Sequence, residues 1–169
     1  MEERLAQLLG VMAVAASDRL RDSVEAESAH GGSAPAALVH LQAYPGEPVE
    51  SLRQVLGISQ PATVRVVNRM VGEGLAERRP GPDRRSVAVC LTDAGAAAAT
   101  AVLVRRSQSL AHLLEVLDPA QRRALEPLLE SLVAGLADDR PQALRVCRLC
   151  DRKACAREPG CPLDHTVRE

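Results

Sequence analysis

Four cysteines fall within fifteen residues near the C-terminus, in the pattern Cys147-x2-Cys150-x4-Cys155-x5-Cys161, and His165 follows after three intervening residues. Thiolates are strong ligands for soft and borderline metal ions, and four of them can surround one tetrahedral ion. The opening C-x2-C supplies two ligands from one tight knuckle. A Zn(Cys)4 centre carries a formal charge of about −2, and Arg145, Arg148, Arg152, Lys153 and Arg157 stand in the same segment to offset it. A structural Zn2+ site is therefore the favoured expectation, because a segment this short and poor in hydrophobes needs a staple to fold. Four thiolates also serve an iron–sulfur cluster. Two disulfides, a redox switch or a tail of free thiols are the other readings, and permanent disulfides are disfavoured in a reducing compartment. Spacing leaves open whether His165 replaces one cysteine. Cys90 stands apart and reads as a small buried hydrophobe.

A second set of residues points to a different chemistry. Residues 52–85 carry seven arginines against Glu73, Glu77 and Asp83, whereas the flanking segments 1–30 and 92–140 are net acidic. Within this basic island Ser59, Gln60, Thr63, Arg65, Asn68 and Arg69 are spaced along one expected helix. They offer the donors and acceptors that read base edges in a major groove. Arg84 and Arg85 fall in a turn-rich stretch, where they can reach a phosphate or a narrow minor groove. Asp83 is placed to pair with Arg85 and shape that turn. A solvated basic face is the plain alternative. His30, His40 and His112 are scattered, and His40 reads as a surface or interface residue. The chain holds no G-x-S-x-G, P-loop, H-E-x-x-H or G-x-G-x-x-G motif, so no enzyme chemistry is expected.

Composition narrows the classes further. The net charge is −1 and the pI about 6.4, so DNA affinity has to come from a local patch. Aromatic residues make up 1% of the chain, with Tyr44 alone, which excludes base-stacking sheets and single-strand-binding barrels. Lys153 is the only lysine. No run approaches the ~20 apolar residues of a membrane helix, and the acidic N-terminus has no basic leader region, so a cytoplasmic protein is expected.

These residues need elements to position them. Leu5, Leu8, Met12, Ala16, Leu20 and Val24 recur at helical spacing and predict a first helix over 3–28. A second is expected at 34–44 and a third at 48–56. Ser59 as N-cap with Pro61 in the first turn starts a fourth, with Val64, Val67 and Val71 on one face. Leu75–Arg79 and Ser86–Leu91 read as a β-hairpin around Pro80-Gly81-Pro82-Asp83. A long helix follows over 93–116, and Asp118-Pro119 opens a sixth, which Pro127 is expected to bend or interrupt. Asp138–Pro141 closes that segment. The expected organisation is an N-terminal dimerisation helix (1–32), a DNA-binding domain (33–92), C-terminal dimerisation helices (93–140) and a cysteine-rich metal-binding tail (141–169).

Helix, glycine-containing turn, helix and hairpin is the order of a winged helix-turn-helix, here mainly α with a small two-stranded wing. The run VESLRQVLGISQPATVRVVNRMVGEGLAERR, followed by PGPDRRSVAVCLTDAGAA, resembles the MarR family of bacterial winged-helix regulators. SQPATV, GLAERR, DRRS and LTDAG are the most specific pieces, and the resemblance covers about 33–140. It implies a homodimer with intertwined terminal helices on a pseudo-palindromic operator of double-stranded DNA, acting as a repressor relieved by a small-molecule effector or by cysteine oxidation. It implies wing and DNA roles for Asp83 and Arg85, and major-groove contact from the start of SQPAT. The cysteine tail lies outside the family pattern. Two alternatives accompany this reading: a metal- or redox-responsive regulator with the tail as its input, and an interaction module that kept the fold without the DNA contact.

Overall fold

Five of the helix starts are written in the chain as short polar caps. In the computed structural model, which describes residues 2–27, 32–81, 87–157 and 160–163, the order is α1 (Glu2–Glu27), α2 (Ala34–Ala43), β1 (Glu47–Pro48), α3 (Val49–Leu56), α4 (Gln60–Gly72), β2 (Ala76–Pro80), β3 (Val87–Leu91), α5 (Asp93–Leu114), α6 (Pro119–Ala134), α7 (Arg140–Val146) and α8 (Arg152–Cys155). The side chains of Ser59, Thr92, Asp118, Asp139 and Asp151 accept backbone N–H groups at the first turns of α4, α5, α6, α7 and α8. Each satisfies donors that a helix start leaves orphaned. Asp118 and Gln121 form a full capping box. Gly57 closes α3 in the left-handed conformation (φ 65°), which favours glycine.

The main core is wholly aliphatic. Leu38 and Leu41 of α2, Leu52 of α3, Val67 and Met70 of α4, and Val89 of β3 are all essentially fully buried in it. Each such side chain stabilises by about 1.5–3 kcal/mol. A second cluster joins Val24 of α1, Val39 of α2 and Val102 of α5. α5 thereby forms the spine on which α1 and α2 pack. A third, small cluster joins Ala137, just after α6, to Ala143 and Leu163 of the tail.

The sheet has three antiparallel strands in the order β1-β3-β2, with Glu47 opposite Val89 on one side and Arg78 opposite Val89 on the other. The two-stranded wing expected from sequence is thus completed by β1. Central placement explains why Ala88 and Val89 are both buried despite pointing to opposite faces. Two further expectations are corrected. Pro127 does not interrupt α6, which runs as one helix from Pro119 to Ala134. And Asp139 does not merely close a segment: it caps α7, so the tail has two short helices. Among the described residues no helix is long and apolar enough to cross a membrane.

Candidate nucleic-acid interface and cysteine knuckle

The geometry of α4 follows from its cap and its buried stripe. Ser59 sits in extended backbone and accepts the Ala62 N–H at 3.4 Å. Thr63, Val67 and Met70 face inward, and Gln60, Arg65, Asn68 and Arg69 are exposed. Thr63 differs from the sequence expectation. It is fully buried and its hydroxyl donates to the Ser59 carbonyl at 3.1 Å, so it holds the first turn rather than facing a groove. Val64 takes the outward position instead.

Among the described residues, three of the five arginines of the basic island are engaged. Arg53 is paired with Glu50 at 2.6 Å, which lowers the Glu50 pKa through the hydrogen bond and raises that of Arg53. Arg79 pairs with Glu77. Arg78 donates to the Asn68 Oδ1 at 2.5 Å, tying β2 to α4. Arg65 and Arg69 are exposed, and among the described residues no ion pair or hydrogen bond engages either. They are the uncommitted cations of the helix. Asp83, Arg84 and Arg85, expected at the wing tip, lie outside the described residues.

The base of the wing is clamped to α5 through Thr92 and Gly95. The Thr92 hydroxyl donates to the Gly74 carbonyl at 2.6 Å and accepts the Gly95 N–H at 3.1 Å, while the Thr92 N–H reaches the Leu75 carbonyl at 3.1 Å. Gly95 lies so close to this chain that a Cβ there would stand 1.8 Å from the Leu75 carbonyl oxygen. The signal was present as LTDAG, where the glycine is required by close approach.

The cysteines gather in the tail. Cys147, Cys150, Cys155 and Cys161 all line one cavity of about 30 Å3 together with Ala143 and Leu144. Cys155 lies close enough to Cys150 and Cys161 for the three thiols to influence one another. No disulfide joins any of the five cysteines of the chain. Burial pushes the Cys147 thiol up to about 11, and raises Cys150 and Cys155 as well, while Arg106 of α5 opposes the shift. These three shifts favour the thiol over the thiolate, so a metal has to displace protons to bind here. Among the described residues no group of three or more ligand side chains is already closed to metal-holding spacing. The donor set nonetheless suits a thiophilic ion: four sulfurs border one small cavity from helix ends and loops. Around a zinc ion sulfurs stand ~3.8 Å apart, given bonds of ~2.3 Å. His165 lies outside the described residues, as does His30. Cys90 is half-buried on β3, away from this group.

His40, expected at the surface or at an interface, is buried within the chain, with 6% of its surface exposed. Its Nε2 and the Tyr44 hydroxyl are buried without hydrogen-bond partners among the described residues, beside a cavity of about 20 Å3 that Cys147 and Cys150 also line. Burial lowers the His40 pKa, with Glu47 opposing and Arg152 reinforcing the shift. A larger cavity of about 530 Å3 lies between α2 and α5, with Cys150 and Arg152 in its wall.

The helix order and the three-stranded sheet define a winged-helix fold, with α4 presenting an exposed polar face. A family model described as "MarR family" matches residues 32–86. Over this winged-helix segment, about a third of its length, the chain is similar to the MarR family. The chain is similar to RV1404 of Mycobacterium tuberculosis, at TM-score 0.69 and 24% identity over 80% of this chain and 94% of that one. It is similar to apo MarR of E. coli, at TM-score 0.63 and 25% identity over 76% and 96%. MepR, described as a transcription regulator of the Staphylococcus aureus multidrug efflux pump MepA, matches at TM-score 0.68 and 14% identity over 78% and 98%. These structures are covered almost completely while a fifth or more of this chain has no counterpart in them. Uncharacterized proteins of Mycobacterium tuberculosis and Mycobacterium bovis are 33% identical over 87 residues, which is 51% of this chain. The chain spans 61% of the length of these curated relatives.

Proposed function

We infer that the protein is a homodimeric transcriptional regulator, acting as a cytoplasmic repressor on a pseudo-palindromic operator in double-stranded DNA. The observation that carries this reading is the outward face of α4, where Arg65 and Arg69 are exposed and uncommitted beside Gln60 and Asn68. Such side chains pair with guanine and adenine edges. Two-fold symmetry would set half-sites about 34–36 Å apart. Leu5, Leu8 and Val11 on α1, Leu128 and Leu132 on α6 and Leu136 just beyond it are all more than half exposed, which supports burial against a second copy. The cavity between α2 and α5 is the place for a small-molecule effector. The tail is read as a zinc knuckle on Cys147, Cys150, Cys155 and Cys161, with an iron–sulfur cluster as the alternative on the same ligands.

Wing substitutions test this. Arg84→Ala and Arg85→Ala are expected to weaken duplex binding across sequences and to flatten its dependence on salt, because each neutralised phosphate releases counterions. Unchanged affinity and slope in both variants would remove the wing from the interface.

A further inference from the structure

The cysteine tail does not hang free of the winged helix. Arg145, Leu149 and Arg152 seat it on the winged helix. Arg145 of α7 lies across Gly57, the residue that ends α3 and opens the turn into α4; a Cβ at Gly57 would stand 3.3 Å from its Nε. α7 as a whole packs on α3. Leu149, which sits inside the Cys147-x2-Cys150 knuckle, packs into the cluster of Val24, Val39 and Val102 where α1, α2 and α5 meet. Arg152, between Cys150 and Cys155, holds its guanidinium 4.9 Å from the centre of the Tyr44 ring at the end of α2. Every seat is filled by a residue within two or three positions of a cysteine.

We propose that the four-cysteine knuckle takes one thiophilic divalent cation of the zinc class, and that its occupancy is coupled to DNA binding by bracing the α3–α4 turn against the α1–α2–α5 junction. This rests on the DNA-binding reading of α4 given above. Loading exchanges four thiol protons for one divalent ion and leaves four thiolates around it, with no change of oxidation state. The closed knuckle fixes the spacing between Arg145, Leu149 and Arg152, and so fixes α3 relative to α5. Without the ion, α7 and α8 have seven and four residues, too few to hold their shape alone. The brace then loosens, and the recognition helix loses a fixed angle. The ion thus acts as a positive effector of DNA binding. Coupling of this kind is reciprocal: DNA must tighten metal binding by the same factor.

Two readouts on the full-length chain, purified without a metal-affinity tag, test the proposal. One is affinity for duplexes selected from a random library separately by zinc-loaded and chelator-stripped protein. The other is hydrogen exchange at amides 49–72. The expected result is about one zinc per chain, a loss on the order of tenfold in duplex affinity on stripping, recovery on adding zinc, and faster exchange in α3 and α4 of the stripped form. Cys155→Ser should behave as stripped protein, and Cys90→Ser as wild type. Arg145→Ala should keep its zinc yet bind duplex as weakly as the stripped form. Zinc that binds without changing affinity or exchange would overturn the coupling, and failure of the chain to take up zinc would overturn the site. If neither form selects a duplex, the DNA-binding reading fails; exchange that still responds to zinc then upholds the brace, and unchanged exchange overturns it.

Discussion

Replacing Gly95 by alanine sets two effects of known size against each other. Alanine is the better helix former, by ~1 kcal/mol in a helix interior, and Gly95 lies in the first turn of α5, where the gain is smaller. Against it stands the Leu75 carbonyl oxygen, 1.8 Å from where the Cβ would be. Reaching 3.0 Å, below which real Cβ contacts are essentially never found, requires a retreat of roughly 1.2 Å. The obstacle is backbone, and that carbonyl also accepts the Thr92 N–H, while the adjacent Gly74 carbonyl accepts the Thr92 hydroxyl. Overpacking costs about 1–3 kcal/mol, and each weakened hydrogen bond adds about 1 kcal/mol. The net expectation is a loss of about 2–3 kcal/mol, or roughly 5–10 °C in Tm for a chain of this size. Urea denaturation followed by circular dichroism, at one fixed protein concentration because a dimer is expected, measures it. Gly72→Ala is the control: no atom lies within 4 Å of its Cβ, so it should be neutral or slightly stabilising. A Gly95→Ala protein as stable as wild type would refute the claim that close approach, and not flexibility, demands the glycine.

Other expectations follow from the same geometry. His40 has a lowered pKa because it is buried. The unfolded chain therefore takes up its proton first as pH falls below about 6.5, and the stability present above that value declines towards the folded pKa. His40→Leu should lose less stability than wild type between pH 7.5 and 5.5 in paired denaturation curves, and equal losses would refute the assignment. Pro127→Ala should stabilise α6 by about 1–3 kcal/mol by restoring a donor within a continuous helix, visible as a higher denaturation midpoint; a lower midpoint would mean the proline serves packing.

Much of this architecture was legible because caps and apolar spacing are local. Ser59 with Pro61 and Asp118 with Pro119 marked their helices correctly. Asp139 followed by Pro141 is the same signal, yet α7 was missed, since its seven residues carry too little apolar periodicity to stand out. β1 could not be read at all: Glu47–Pro48 has no strand propensity and exists only because β3 offers an open edge. The inward face of α4 was set one residue off. The stripes 63/67/70 and 64/67/71 are nearly equivalent in sequence, and only the neighbouring helices decide between them. Thr63 can go inside because the Ser59 carbonyl satisfies its hydroxyl. The cysteine spacing announced a knuckle but held no information about Gly57, Val39 or Tyr44, the surfaces on which the tail lies.

The central claim is that α4 reads duplex DNA. Fluorescence anisotropy of the full-length protein on a selected duplex, from 50 to 200 mM salt, tests it directly with Arg65→Ala and Arg69→Ala beside wild type. The account predicts a steep fall of affinity with salt, and a loss of about 1–3 kcal/mol in each variant. An arginine on phosphate would also lower the salt slope by about one, and an arginine on a base would relax specificity instead. Selection that enriches no sequence, or variants that bind as wild type does, would contradict it.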